Sequence, residues 1–327
     1  MNQPLPQQHL RPDPASIPRT AADAPPPDYA IDAHHVHVRR DDFALGVENL
    51  RIARGSRTAV VGRNGAGKST LMEALLGLIV ADMDGRIFGL DLRRWHEDIA
   101  VRRRIGVQLQ AVAYPGSVRV SDLVALHDHL YGHRDAAVAD ALNLGPLVRK
   151  PYRALSRGQK QRVDLYMAMA HVPELLMLDE PCTGLDRNFL EDTLRLIGTQ
   201  PHQTVLMICH TPEELAVATD VLWIRAGTVA AHGDMNALMR EHVGEYRLEV
   251  RPNAPRMLPA LLQRLRASPG VIRSERTSGG SAIAYGDARL QELARELIEN
   301  RTMDSCAFGA SRGADFLRLV TESKDYE

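Results

Sequence analysis

Four short, largely apolar runs punctuate the first two-thirds of the chain, and each stops at a glycine or a polar side chain. Thr58-Ala59-Val60-Val61 stops at Gly62, Ile105-Gly106-Val107-Gln108-Leu109 at Gln110, Leu175-Leu176-Met177-Leu178 at Asp179, and Val205-Leu206-Met207-Ile208-Cys209 at His210. Continuous apolar runs of this length predict strands buried on both faces. Helical signals alternate with them. Leu71 to Leu76 follows the first run, and Val120 to Tyr131 and Ala136 to Leu144 form short helical segments. After His210, Thr211 is an N-cap, Pro212 takes the first helical position, and Glu214 closes a capping box. Strands alternating with helices predict an α/β fold with a mostly parallel sheet, in which residues 31–110 supply a β-rich subdomain and the phosphate-loop half.

The pattern changes after about Gly233. Tyr246 to Val250 is strand-like, Pro255 to Ala267 helical, and 270–276 with 281–285 a hairpin around Gly279-Gly280. A helix over 288–300, a strand over 303–308 and a closing helix over 311–323 complete a β-α-β-β-α-β order of the ferredoxin-like kind. The expected divisions are therefore a tail over 1–29, a catalytic unit over 30–235 with a helical insert at about 111–162, and an accessory α+β domain over 245–327. Eight of the chain's 19 prolines fall in the tail, which predicts a disordered or extended segment with no signal-peptide pattern.

With 327 residues the chain has room for two domains. A net charge of −1 gives no electrostatic case for nucleic acid or anionic lipid. No apolar stretch approaches the roughly 18 residues of a membrane helix. The three cysteines, Cys182, Cys209 and Cys306, are distant and odd in number, which predicts reduced thiols in a cytosolic setting. Two histidine groups, His34/His35/His37 and His127/His129/His133, lack the carboxylate or cysteine company of a closed metal site, so no ion is expected at either.

The chemistry concentrates at Gly62-Arg63-Asn64-Gly65-Ala66-Gly67-Lys68-Ser69-Thr70, a complete G-x-x-x-x-G-K-S phosphate loop. Its glycines let successive backbone N–H groups close on phosphate oxygens, Lys68 adds a point charge, and Ser69 offers a hydroxyl to Mg²⁺. Leu155-Ser156-Arg157-Gly158-Gln159 carries a second capping box, Ser156 with Gln159, so another helix N-terminus able to meet an anion begins there.

These segments, with Leu175-Leu176-Met177-Leu178-Asp179-Glu180-Pro181, resemble the ATP-binding-cassette (ABC) ATPases over about residues 31–235. The 155–159 segment is similar to the family's signature, with Arg157 in place of a glycine. The resemblance implies ATP as ligand. Lys68 sits at its phosphates and Ser69, Gln110 and Asp179 at Mg²⁺. Glu180 is the general base, and His210 holds the γ-phosphate and the water. Gln110 matches the family's Q-loop glutamine, with Gln108 the competing position. Gly184-Leu185-Asp186 resembles the loop that crosses the dimer interface. Ser156, Gly158 and Gln159 would close on a partner subunit's nucleotide. The base-stacking aromatic has no clear match, leaving Phe43, Arg39 and Arg40 as candidates.

The resemblance also implies a homodimer or cassette heterodimer, coupled to an integral-membrane permease on the cytoplasmic face. Ala111-Val112-Ala113-Tyr114-Pro115-Gly116 is the candidate docking groove. The ending 314–321 resembles the drug- and polymer-exporting branch, so an exporter is expected. A soluble ABC ATPase working on ribosomes or DNA is the alternative. It is disfavoured by the single phosphate loop and by Lys68 and Ser156 being only 88 positions apart, too close for long coiled coils. An ATP-binding regulator without turnover is disfavoured by the intact Glu180 and His210.

Overall fold

The chain enters as a long hairpin, β1 (Tyr29–Arg40) with β2 (Phe43–Ala53), paired antiparallel from Arg40↔Phe43 to Tyr29↔Ala53. The computed structural model describes residues 28–40, 43–110, 114–200, 202–299 and 303–322. The expected tail therefore lies outside the described residues except at Asp28 and Tyr29. β3 (Arg57–Val61) leads into α1 (Lys68–Leu75). β4 (Asp82–Ile87) and β5 (Leu90–Asp91) return to the hairpin, and α2 (Ile99–Arg102) leads to β6 (Ile105–Gln108). That strand stops two residues short of Gln110, which stands exposed in the following turn.

The helical insert holds α3 (Val120–Tyr131), α4 (Ala136–Ala141) and the start of α5 (Arg157–Met169). α4 ends earlier than expected because Asn143 takes a left-handed conformation, φ 42°, which a helix cannot continue through. The chain then alternates β7 (Leu175–Asp179), α6 (Arg187–Thr199), β8 (Thr204–Ile208), α7 (Pro212–Ala216), β9 (Asp220–Arg225), β10 (Thr228–Asp234) and α8 (Met235–Leu238).

Among the described residues ten strands form one sheet in the order β5-β4-β1-β2-β10-β9-β3-β8-β7-β6. It is parallel from β9 through β6 and antiparallel from β5 through β2. The parallel half is covered on both faces, which is why its strands are continuous apolar runs. Val60, Leu206, Ile208, Leu175, Met177, Leu222 and Ile224 share one core with Leu71, Met72 and Leu75 of α1. The alternate residues Ala59, Val61, Leu176, Leu178, Val205, Met207, Val221 and Trp223 face the other way, onto a core that includes α5 and α6 residues. Each such fully buried leucine or isoleucine contributes about 1.5–3 kcal/mol.

The described residues that follow build a second sheet from β11 (Tyr246–Pro252), β12 (Val271–Arg276), β13 (Ala282–Gly286) and β14 (Met303–Ala310), ordered β12-β13-β11-β14 and antiparallel throughout. α9 (Leu258–Ala267), α10 (Leu290–Glu299) and α11 (Gly313–Glu322) complete it. The ferredoxin-like order expected from the sequence is the order observed. β13 is buried at every position because both its faces are covered. Ala282 and Ala284 face α9 and α10. Ile283 and Tyr285 join Phe316, Leu317 and Val320 of α11 in the same core as Leu215 and Trp223 of the larger sheet.

Candidate functional site

β3, β7 and β8 run parallel and end side by side, so the residues that follow them meet at one sheet edge. There a cavity of about 710 Å³ is lined by Arg40, Phe43, Asn64, Gly65, Gly67, Lys68, Ser69, Thr70, Glu180 and His210. Gly67, at φ 109°, must be glycine for two reasons. The conformation is left-handed, and a Cβ there would lie 2.8 Å from Leu45 and 2.9 Å from the Phe43 ring. Lys68 is buried and its Nζ donates to the carbonyl oxygens of Gly62 at 2.9 Å and Arg63 at 3.1 Å. Burial lowers its pKa, offset by the nearby carboxylates Glu180 and Asp179. Of the loop residues, Gly62 and Ala66 are buried and support the turn, while Arg63 points to solvent.

At the end of β7, Asp179 is buried and its Oδ1 has no hydrogen-bond partner among the described residues. Burial raises its pKa, against a hydrogen bond from Ser69 that lowers it. Glu180 has φ 50°, a left-handed backbone for a non-glycine residue, at a cost of about 1–3 kcal/mol. That turn brings its Oε1 to 3.0 Å from His210 Nε2, while Oε2 accepts from Thr183 Oγ1 at 3.1 Å.

A second cavity, of about 400 Å³, lies on the far side of Glu180. It is lined by Gln110, Tyr152, Arg157, Lys160, Gln161, Asp164, Asp179, Glu180 and Thr183. Gln110 thus shares a cavity with both carboxylates. Gln108 instead is buried, its amide donating to the Leu109 carbonyl. The Ser156 capping box forms as expected, with reciprocal 3.3 Å bonds to Gln159. Gly158 is required by the protein's own packing, since a Cβ there would lie 2.6 Å from the Gly184 carbonyl oxygen. Asp186 caps α6 through Phe189 N at 3.2 Å. Ser156, Gly158, Gln159 and Asp186 lie outside the first cavity.

Two supporting residues escape a reading of the sequence. Gln161 Nε2 donates to the carbonyls of Glu180 at 3.4 Å and Pro181 at 2.8 Å, tying α5 to the strained turn. Glu214, legible only as a capping residue, also reaches across to the β7 end. Its carboxylate accepts from His210 N at 2.9 Å, Thr211 N at 3.1 Å and Cys182 N at 3.3 Å. For base stacking, Phe43 and Arg40 line the cavity while Arg39 does not.

The expectation that neither histidine group has carboxylate company fails for the first. His34, His35 and His37 each meet a carboxylate, Asp84, Asp82 and Glu48, supplied by neighbouring strands. In the second, His127 is buried against His171, a residue from outside the group. Of the expected docking segment, residues 111–113 lie outside the described residues; Tyr114 packs edge-on against Tyr152.

The model of the family described as ABC transporter matches residues 46–183. The chain is 38% identical over 219 residues to the daunorubicin resistance ATP-binding protein DrrA3 of Streptomyces coeruleorubidus, covering 63% of this chain and 68% of that one. It is 30% identical over 200 residues to the hemin import ATP-binding protein HmuV of Escherichia coli O157:H7, covering 57% and 78%. Among solved structures, the ATP-binding subunit of an ABC transporter superposes with a TM-score of 0.58 at 20% identity, over 65% of this chain and 92% of that chain. A dimeric bacterial ABC transporter cassette does so at 0.54 and 18%, over 63% and 97%. The phosphate loop, the paired carboxylates and the histidine thus stand in a fold and a sequence with the same ancestry, and the chain belongs to the ABC transporter family as an ATP-binding ATPase subunit.

Proposed function

We propose that this chain hydrolyses Mg²⁺-ATP in a dimer of cassettes to drive export by a separate membrane permease. The observation that carries the reading is the 3.0 Å contact between Glu180 and His210 in the cavity that also holds Lys68 and Ser69.

The γ-phosphate would lie at the N-terminus of α1, where loop N–H groups and Lys68 neutralise its oxygens. Glu180 takes a proton from the attacking water as the water oxygen bonds to the γ-phosphorus and the bond to the β–γ bridging oxygen breaks. His210 holds Glu180 and the water in register. The residues present fit Mg²⁺, because an unpartnered buried carboxylate oxygen of Asp179 stands beside the Ser69 hydroxyl, a hard oxygen pair. When bound, the ion supplies positive charge to the phosphate oxygens. Gln110 would approach it from the second cavity, and Phe43 or Arg40 would meet the base. Ser156, Gly158 and Gln159, on the surface at the head of α5, would close on the partner's nucleotide, with Asp186 at the same interface.

Among the described residues no helix is long and apolar enough to cross a membrane; in this reading the permease supplies the path across it. The 111–116 segment beside Gln110 is the proposed contact for its cytoplasmic helix, which would place the chain on the inner face of the membrane. Export is supported by the drug-resistance relative and by the ending 314–321; the 245–327 unit is read as accessory.

ATPase assays of wild type and Glu180→Gln test the chemistry, with a loss of roughly 10²–10⁴-fold expected. Equal rates would sink the general-base role. Cross-linking the ATP-trapped Glu180→Gln protein in its native cell tests the rest. A polytopic membrane protein should co-purify; ribosomal or DNA-repair proteins in its place would overturn the transport reading.

A further inference from the structure

The solvent face of the antiparallel half-sheet carries a cluster that ATP chemistry does not use. Along β1 from Ile31 onward the buried positions run Ile31, Ala33, Val36 and Val38, so the alternation slips at His34–His35. Pairing with β4 shifts register at the same place, between Ala33 and His35. This is the mark of a β-bulge, which re-aims side chains. Beyond it, His35 and His37 project from the same face. His37 lies opposite Asp82 of β4, and His35 opposite Glu48 of β2.

The donors converge. His35 Nε2 is 3.5 Å from Asp82 Oδ1, and His37 Nε2 is 2.5 Å from Glu48 Oε1. The two imidazole rings lie 5.0 Å apart. One ligand atom each from His35, His37 and Asp82 falls within 4.8 Å of the other two. Bonds of about 2.0–2.2 Å to a tetrahedral ion put donors roughly 3–3.5 Å apart, so small rotations of these side chains close the set. Asp82 is 82% exposed and His35 30%, which leaves them free to make those rotations.

We propose that His35, His37 and Asp82 form a surface site for a divalent transition-metal ion, zinc above all, with Glu48 at its rim. Two neutral imidazoles and a carboxylate suit zinc, whereas magnesium and calcium demand oxygen donors. The ion pins β1 to β4 three residues before Arg40, which lines the nucleotide cavity. His34, paired with Asp84 at 2.9 Å, stands outside the set.

Full-length protein stripped with EDTA, free of nucleotide and magnesium, is titrated with Zn²⁺ against a chromophoric chelator and separately with Co²⁺. The wild type should take up one equivalent with a Co²⁺ spectrum lacking thiolate bands, and zinc should raise its melting temperature. His37→Ala and Asp82→Asn should each weaken binding roughly tenfold or more, with unchanged melting temperature in the absence of metal. His34→Ala should bind as wild type. Failure of the wild type to bind an equivalent, wild-type affinity in His37→Ala, or an equal loss in His34→Ala would each overturn the site.

Discussion

Glu214 gathers three backbone N–H groups with one carboxylate, two beside His210 and one from the turn that carries Glu180. It therefore fixes the ends of β7 and β8 relative to each other, although it lines neither of the two cavities beside Glu180. Glu214→Gln keeps the size of the side chain but replaces one oxygen with an amide donor. One of the three N–H groups then faces another donor while buried, at a cost of about 1–3 kcal/mol. The expected result is a lower melting temperature together with a reduced kcat, because His210 loses its register with Glu180. ATP affinity measured at equilibrium should change far less, since Lys68 and the phosphate loop are untouched. A variant that melts as wild type would remove Glu214 from this role. None of this was legible in the chain. Thr211, Pro212 and Glu214 announce a capped helix, but the third partner, Cys182, is 32 positions away, and no local spacing reports it.

At the scale of elements, the head of α5 shows how much local pattern can settle. Ser156 and Gln159 announce the capping box, and it forms with the expected pairing. The role of Gly158 did not follow from that pattern. Its missing Cβ admits the Gly184 carbonyl oxygen, 2.6 Å from where the carbon would sit. Gly158→Ala must push the 184–186 turn away from α5. It is expected to slow turnover sharply while leaving ATP binding near wild type, a split seen by comparing kcat with nucleotide affinity.

A helix of the same insert holds one half of a pH-sensitive pair. His127 of α3 is fully buried beside His171, which follows α5, their ring nitrogens 3.4 Å apart. Burial lowers both pKa values, that of His171 to about 4. A base whose folded pKa lies below its unfolded value near 6.5 binds more protons when unfolded. The folded state therefore keeps its full stability above about pH 6.5 and loses it as pH falls towards 4. His171→Gln should flatten that loss, measured by denaturant titration at pH 7 and pH 5. An unchanged slope would show that the pair does not govern acid stability. Histidine spacing on α3 gave no hint of it, because the partner lies 44 residues away.

At the scale of the whole molecule, the two sheets share one core. Trp223, on β9 beside the phosphate-loop strand, packs edge-on to Phe316 of α11 with ring centroids 6.0 Å apart. α11 also packs on α7, the helix that carries Glu214. Beneath it, the Tyr285 hydroxyl donates to Asp315 at 3.2 Å, and Asp315 in turn accepts from Arg312 N at 2.8 Å. The sequence predicted a mostly parallel sheet and the element order of the second one, yet not this docking. An apolar stripe on α11 shows that the helix must be covered without showing by what. The consequence is cooperative unfolding. Buried amides of β8 and β13 should open with similar free energies in native-state hydrogen exchange, because neither sheet keeps its core when the other leaves. Phe316→Ala empties the junction at a cost of about 3–5 kcal/mol. It should split the transition, so that β13 exchanges well before β8. If wild-type β13 already opens at much lower free energy than β8, the shared core carries no coupling. The 245–327 unit would then be an independent appendage, with no mechanical hold on the helix beside His210.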